Sequence, residues 1–202
     1  MIKVLFIGNS HVYYNDMPDI LRRIAKHNGK ELFTVMLAHG GAGLENHANE
    51  AQAQFNIVFG KYDYVVLQHR ANPFVLETLM NEGVRLSHFV LKSGAKGVAY
   101  MAWPKAEYRD TQKLATEGYL QFVKETGFSF APAGEAWWSF MDKNPDVELF
   151  RADNEHATKK GSYLAACVIY CAMFGEKPKT DKDVLHEEMA KEAYSAYIKY
   201  KD

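Results

Sequence analysis

The sequence has little cysteine, little proline, no excess of charge of either sign and no long apolar run. Two Cys among 202 residues cannot frame a disulfide-stapled secreted domain. They are Cys167 and Cys171, four apart in the apolar stretch Tyr163 to Phe174. On a helix they share a face with their side chains running parallel, so buried reduced thiols are expected. There is no C-x-x-C redox pair, and no second Cys/His cluster completes a zinc site. Six Pro and 14 Gly exclude collagen-like and linker-like sequence. With 24 basic against 25 acidic residues the chain lacks the basic field that phosphate backbones demand, so nucleic acid is not an expected partner. No run approaches the roughly 20 apolar residues of a membrane span, so no membrane partner is expected either. The opening Met1-Ile2-Lys3-Val4-Leu5-Phe6-Ile7 is too short for a secretory signal core and lacks a cleavage site. A cytoplasmic location is the expectation, in one domain spanning 1–202, and nothing in the sequence sets an oligomeric state.

What is present is alternation. Val4 to Ile7, Leu32 to Leu37, Tyr64 to Leu67 and Gly97 to Ala102 are short, branched or aromatic, and bounded by Gly, Asp or Pro. They read as buried strands, with Phe128 to Ala131 a weaker fifth. Between them Met17 to His27, Glu45 to Phe59, Val75 to Leu91 and Thr111 to Glu125 carry helical period, as do Glu135 to Asp142, Thr158 to Phe174 and a charged segment from about Asp183. Strand–helix repetition predicts an α/β fold, a three-layer α/β/α sandwich around a parallel five-stranded sheet. Such sheets place their sites at the carboxyl ends of strands. The loops after Ile7, Leu37, Leu67 and Ala102, and the irregular run from Lys143 to Ala157, are therefore where chemistry is sought.

The first of these reads Gly8-Asn9-Ser10-His11. A serine just past a strand tip is either a helix cap or a nucleophile with its hydroxyl at the mouth of the sheet. A nucleophile needs a base, and the last irregular loop offers Asp153-Asn154-Glu155-His156. Asp and His three apart can lie side by side, the carboxylate taking the Nδ1 proton and leaving Nε2 free for the serine. Alone, that loop reads more readily as a helix cap followed by a surface histidine. Together with Ser10 it favours a triad.

With these motifs in this order the chain resembles the SGNH (GDSL-like) serine hydrolases, which have a flavodoxin-like sandwich. Gly8-Asn9-Ser10 matches their first motif and Asp153-Asn154-Glu155-His156 their last. A bacterial branch is also similar at Tyr14-Asn15-Asp16-Met17-Pro18, at Tyr64-Val65-Val66-Leu67-Gln68 and at Gly161-Ser162-Tyr163-Leu164-Ala165-Ala166. The resemblance implies a catalytic Ser10, His156 and Asp153, with an oxyanion hole from the backbone N–H of Ser10, that of Gly41 in His39-Gly40-Gly41-Ala42-Gly43, and a side-chain amide after the third strand. Where the family has an asparagine, this chain has Gln68, followed by His69, with Asn72 as a substitute. The implied activity is hydrolysis of short acyl esters, acetyl groups on carbohydrates above all, without a cofactor.

Other residues near the predicted mouth are His11, Tyr14, His69 and Trp103, read as walls of a substrate pocket, with Tyr13 beside them and packing under the loops as the plain alternative. His11, His39, His69 and His156 share these loops but lack compact metal-motif spacing, so no metal is expected. Trp137 and Trp138 read as core and rim of a helix, Lys159-Lys160 as a solvated helix start. A rival from another class is a non-catalytic module of the same fold that binds a carbohydrate or small molecule, for which the Gln68-His69 departure is the best argument.

Overall fold

The structure, a computed structural model, describes residues 1–180 and 183–201. Five strands form one parallel sheet: β1 (Ile2–Gly8), β2 (Leu32–Ala38), β3 (Tyr64–Gln68), β4 (Lys96–Tyr100) and β5 (Ser129–Ala131). Their order is β2-β1-β3-β4-β5. In register Phe6 lies beside Met36 and Val66, and Val66 in turn beside Val98. The predicted fold class is therefore observed, in flavodoxin-like strand order. The order reverses between β1 and β3, and at such a switch point the loops leaving neighbouring strands diverge and open a crevice.

Alternation along the strands sends successive side chains to opposite layers. Val4, Phe6, Val66, Val98 and Tyr100 face one core. There they meet α2 (Met17–His27), α8 (Ala133–Lys143), α9 (Lys159–Phe174) and α10 (Val184–Lys199). Leu5, Ile7, Val65, Leu67 and Ala99 face the other, against α3 (Leu44–Ala48), α4 (Ala51–Phe59), α6 (Val84–Ser93) and α7 (Gln112–Thr126). The short helices α1 (Ser10–Tyr13) and α5 (Leu76–Thr78) complete the set. Helix α9 is buried from Gly161 to Met173 because α2, α8, α10 and the sheet surround it, which accounts for its apolar character all round. Cys167 and Cys171 are buried within it.

Three elements depart from the sequence reading. The segment expected as one helix from Glu45 to Phe59 breaks at Asn49-Glu50, where Arg85 caps the end of α3 through the carbonyl of Ala48 and, at 2.8 Å, Asn49 Oδ1. The expected helix from Val75 to Leu91 contains a π-helical turn, Leu79–Gly83, between α5 and α6. Strand β4 stops at Tyr100, because β5 pairs only as far as that residue. Among the described residues no helix is long and apolar enough to cross a membrane.

Candidate active site

The loop after β1 turns at once into α1. Asn9 caps that helix, its Oδ1 accepting from His11 N at 3.0 Å, while its Nδ2 donates to Ala42 O at 2.8 Å in the loop after β2. Ser10 therefore occupies the first helical position, where a helix start leaves N–H groups without intrahelical acceptors. Behind it, Gln68 Oε1 accepts from Asn9 N at 2.9 Å. The fit depends on Gly8: a Cβ there would lie 2.5 Å from Gln68 Oε1 and 2.8 Å from Val12 Cγ2.

From the far end of the chain, residues 149–158 fold back as a tight turn. Phe150 bridges Ala157, Arg151 N donates to His156 O at 2.8 Å, and Asn154 adopts φ +55° at the bend. That turn holds Asp153 and His156 on one side. Asp153 Oδ1 accepts from the backbone N–H of Glu155 at 3.0 Å and of His156 at 2.9 Å, and Oδ2 lies 2.9 Å from His156 Nδ1. The ring's Nε2 lies 2.9 Å from Ser10 Oγ, across 146 residues of sequence. Burial works to raise the Asp153 carboxyl, but the two backbone N–H groups and the His156 ring outweigh it and hold the group well below the usual carboxylate range. The carboxylate is ionised at any working pH, which fixes Nδ1–H on the ring and turns the lone pair of Nε2 toward Ser10.

Two further contacts position the histidine. Tyr14 stacks on its ring at 4.2 Å, with Arg151 over the other ring system at 5.1 Å from the Tyr14 centroid. Asn15, in left-handed backbone at φ +57°, donates from Nδ2 to Ala157 O and to Ser162 Oγ, both at 2.9 Å. It ties the β1 loop to the histidine turn. In the sequence Asn15 stands out only as a member of the Tyr14-Asn15-Asp16-Met17-Pro18 motif, with no role of its own. The signal was there, since Asn is among the few non-glycine residues that accept φ > 0.

The remaining predicted residues divide. Gly41 is exposed at φ +70°, with open space where a Cβ would be, in the loop that Asn9 clamps. Tyr14 is half-buried and Tyr13 is 38% exposed, both beside Ser10 in sequence. Gln68, expected to present an amide N–H to the substrate, is fully buried, with Oε1 on Asn9 N and Nε2 donating to His69 O at 2.5 Å. It braces the serine loop from below. His69 and Trp103, expected as pocket walls, are buried too. His69 Nδ1 accepts from Leu44 N at 3.2 Å, and burial pushes its pKa down to about 4. Trp103 stacks on Trp137 at 3.5 Å and donates to Glu155 O at 3.0 Å, so it supports the histidine turn from the core. His11 is buried against the edge of Trp103, and burial together with the nearby His156 pushes its pKa down to about 3. It stays neutral beside the other imidazole. Asn72 is half-buried; its Oδ1 accepts from Lys105 N at 2.9 Å and its Nδ2 donates to Glu155 Oε1 at 3.3 Å. That hold uses one of its two amide N–H groups.

No protein-family model matches the chain, and no curated protein matches it. Solved structures do. A DUF4886 family protein from Bacteroides uniformis is 16% identical with a TM-score of 0.72, over 98% of this chain and 95% of its own. A catalytic mutant of the acetylxylan esterase Axe2 from Geobacillus stearothermophilus is 16% identical with a TM-score of 0.64, over 89% and 97%. The psychrotrophic esterase EstA from Pseudoalteromonas sp., inhibited by monoethylphosphonate, is 14% identical with a TM-score of 0.63, over 86% and 97%. At these identities the likeness is one of fold, the three-layer sandwich around a parallel five-stranded sheet that this chain shares with those structures.

Proposed function

We propose that the protein is a serine ester hydrolase that removes short acyl groups, acetyl above all, from a carbohydrate or other small alcohol. The observation that carries the reading is the continuous chain Ser10 Oγ, His156 Nε2 and Nδ1, Asp153 Oδ2, each link 2.9 Å. In the first half-reaction the Ser10 proton moves to His156 Nε2 as Oγ bonds the ester carbonyl carbon, and the carbonyl electron pair shifts to oxygen. That oxyanion rests on the backbone N–H groups of Ser10 and Gly41. Asn72, whose second amide N–H is uncommitted by the Glu155 contact, supplies the third donor in place of Gln68. The tetrahedral intermediate collapses, the alkoxide leaves with the proton from Nε2, and an acyl-enzyme remains. Water then gives its proton to Nε2, attacks the acyl carbon and releases the acid as Ser10 regains its proton. Asp153 keeps its charge throughout and stabilises the imidazolium.

The class of substrate rests on two supports. One structural relative is described as an acetylxylan esterase. The exposed ring of Tyr13 stacks on the half-buried ring of Tyr14 at 5.6 Å in the loop that carries the serine, and flat aromatic surface such as Tyr13 offers suits the apolar face of a sugar ring. Intact-mass labelling with a fluorophosphonate tests the reading. One adduct per wild-type chain, absent from folded Ser10→Ala and His156→Ala, is expected, with turnover of acetylated sugars lost in the same two variants. A folded wild-type protein that takes no adduct and cleaves no acyl ester overturns it.

A further inference from the structure

We propose that His39, His47 and Glu50 form a binding site for one divalent transition-metal ion of the zinc class. One ligand atom from each lies within 4.8 Å of the other two. Glu50 Oε2 is 3.3 Å from His39 Nε2 and 4.0 Å from His47 Nδ1, and the two rings stack at 5.3 Å. In a tetrahedral zinc site with bonds of about 2.0–2.2 Å, neighbouring ligand atoms stand about 3.3–3.6 Å apart. One edge of the triangle already meets that separation. The others close by small rotations of His39 and Glu50, whose side chains are 55% and 40% exposed.

The ring of His47 is what makes this more than a surface ion pair. It is fully buried, and its Nε2 lies 2.8 Å from Gly8 O, an atom that can only accept. That contact puts a proton on Nε2, so in the neutral ring Nδ1 carries a lone pair. Among the described residues that atom has no hydrogen-bond partner, and it faces the Glu50 carboxylate, itself an acceptor. With the ring neutral, the two are acceptors turned toward each other across 4.0 Å, and a bound cation between them satisfies both. A ring whose other nitrogen donates to a backbone carbonyl is how proteins orient metal-binding imidazoles. Two imidazoles and one carboxylate select zinc-class ions, since calcium and magnesium prefer oxygen throughout.

The site follows from the break between α3 and α4. Arg85 ends α3 at Ala48, and Glu50 in the gap turns back beside His47, three residues earlier. His39 comes from the loop after β2, and its own backbone N–H donates to Gly8 O at 3.2 Å. A bound ion would clamp that loop, with Gly41 two residues on, to the helix break and to the end of β1. The ion acts as a fastener for the loop. Its presence does not depend on the esterase reading, because none of its ligands is Ser10, His156 or Asp153.

Calorimetric titration of chelator-treated full-length protein with Zn2+ tests this, alongside Co2+ absorption in the visible. Expected are one equivalent bound at micromolar metal or tighter, Co2+ bands of the intensity typical of four-coordination that Zn2+ removes, and at least ~10-fold weaker binding in both His39→Ala and Glu50→Gln. Those two side chains are exposed, so the variants spare the His47–Gly8 contact that supports the fold. Absence of saturable binding in the wild type overturns the proposal. So does binding of equal strength in both variants, which would put the ion elsewhere.

Discussion

Replacing Gly8 by alanine should damage both stability and reactivity, and the size of the effect can be worked from three distances. The new methyl would lie 2.5 Å from Gln68 Oε1, 2.8 Å from Val12 Cγ2 and 3.0 Å from Gln68 Cβ. Real Cβ contacts at 2.5 Å do not occur, so the Gln68 amide must move. It is fully buried and gives Asn9 N its acceptor, so displacement costs a buried hydrogen bond of about 0.5–1.5 kcal/mol in addition to overpacking of about 1–3 kcal/mol. A loss of about 1.5–4.5 kcal/mol in urea unfolding is expected, with slower fluorophosphonate labelling because Asn9 and Ser10 shift together. A double-mutant cycle isolates the cause. In a Gln68→Ala background the nearest clashing atom is gone, and the same glycine substitution should cost at least about 1 kcal/mol less. If the two substitutions add within about 0.5 kcal/mol, the sites do not couple and the close-packing account of Gly8 is wrong.

Other consequences are equally open to measurement. In Asp153→Asn the side-chain oxygen will stay on the two backbone N–H groups, which puts the amide N–H2 against His156 Nδ1 and drives the ring proton to Nε2. Esterase activity should fall about 10⁴-fold with the fold intact, and a loss below tenfold would remove the carboxylate from the mechanism. His11 is held neutral with its pKa down at about 3, so between about pH 6.5 and 3 the unfolded chain takes up a proton that the folded chain refuses. Stability should therefore decline as pH falls through that window, at about 1.4 kcal/mol per unit from this group, with His69 adding to it down to about pH 4. Urea midpoints at pH 6.5 and 5 should show a shallower slope in His11→Phe, and unchanged slopes would contradict the burial argument. Asn15→Ala gives up two hydrogen bonds and puts a Cβ-bearing residue without a polar side chain at φ +57°. A loss of about 2–3 kcal/mol and slower labelling are expected, against which a change under about 0.5 kcal/mol would count.

Much of this was legible before any coordinates, and for a local reason. Strand alternation is a period-two property, so Leu5, Ile7, Val65 and Leu67 on one side and Val4, Phe6 and Val66 on the other follow from order in the chain. The Asp153–His156 pair was equally readable because its members stand three positions apart and one turn closes it. The positions of Gln68, His69 and Trp103 were not readable. Each leaves a strand end where the backbone can point a side chain up to the mouth or down into the layers, and its neighbours choose. Gln68 is drawn under Asn9 by the absence of a Cβ at Gly8, His69 under Leu44, and Trp103 onto Trp137. The break at Asn49-Glu50 is of the same kind: Arg85, 36 residues on, caps α3 and frees Glu50 to face two histidines. Local order in the chain established which residues lie in strands and which motifs could react. Whether Ser10 meets His156, and which polar side chains face solvent, was decided by contacts between segments that only the folded sheet brings together.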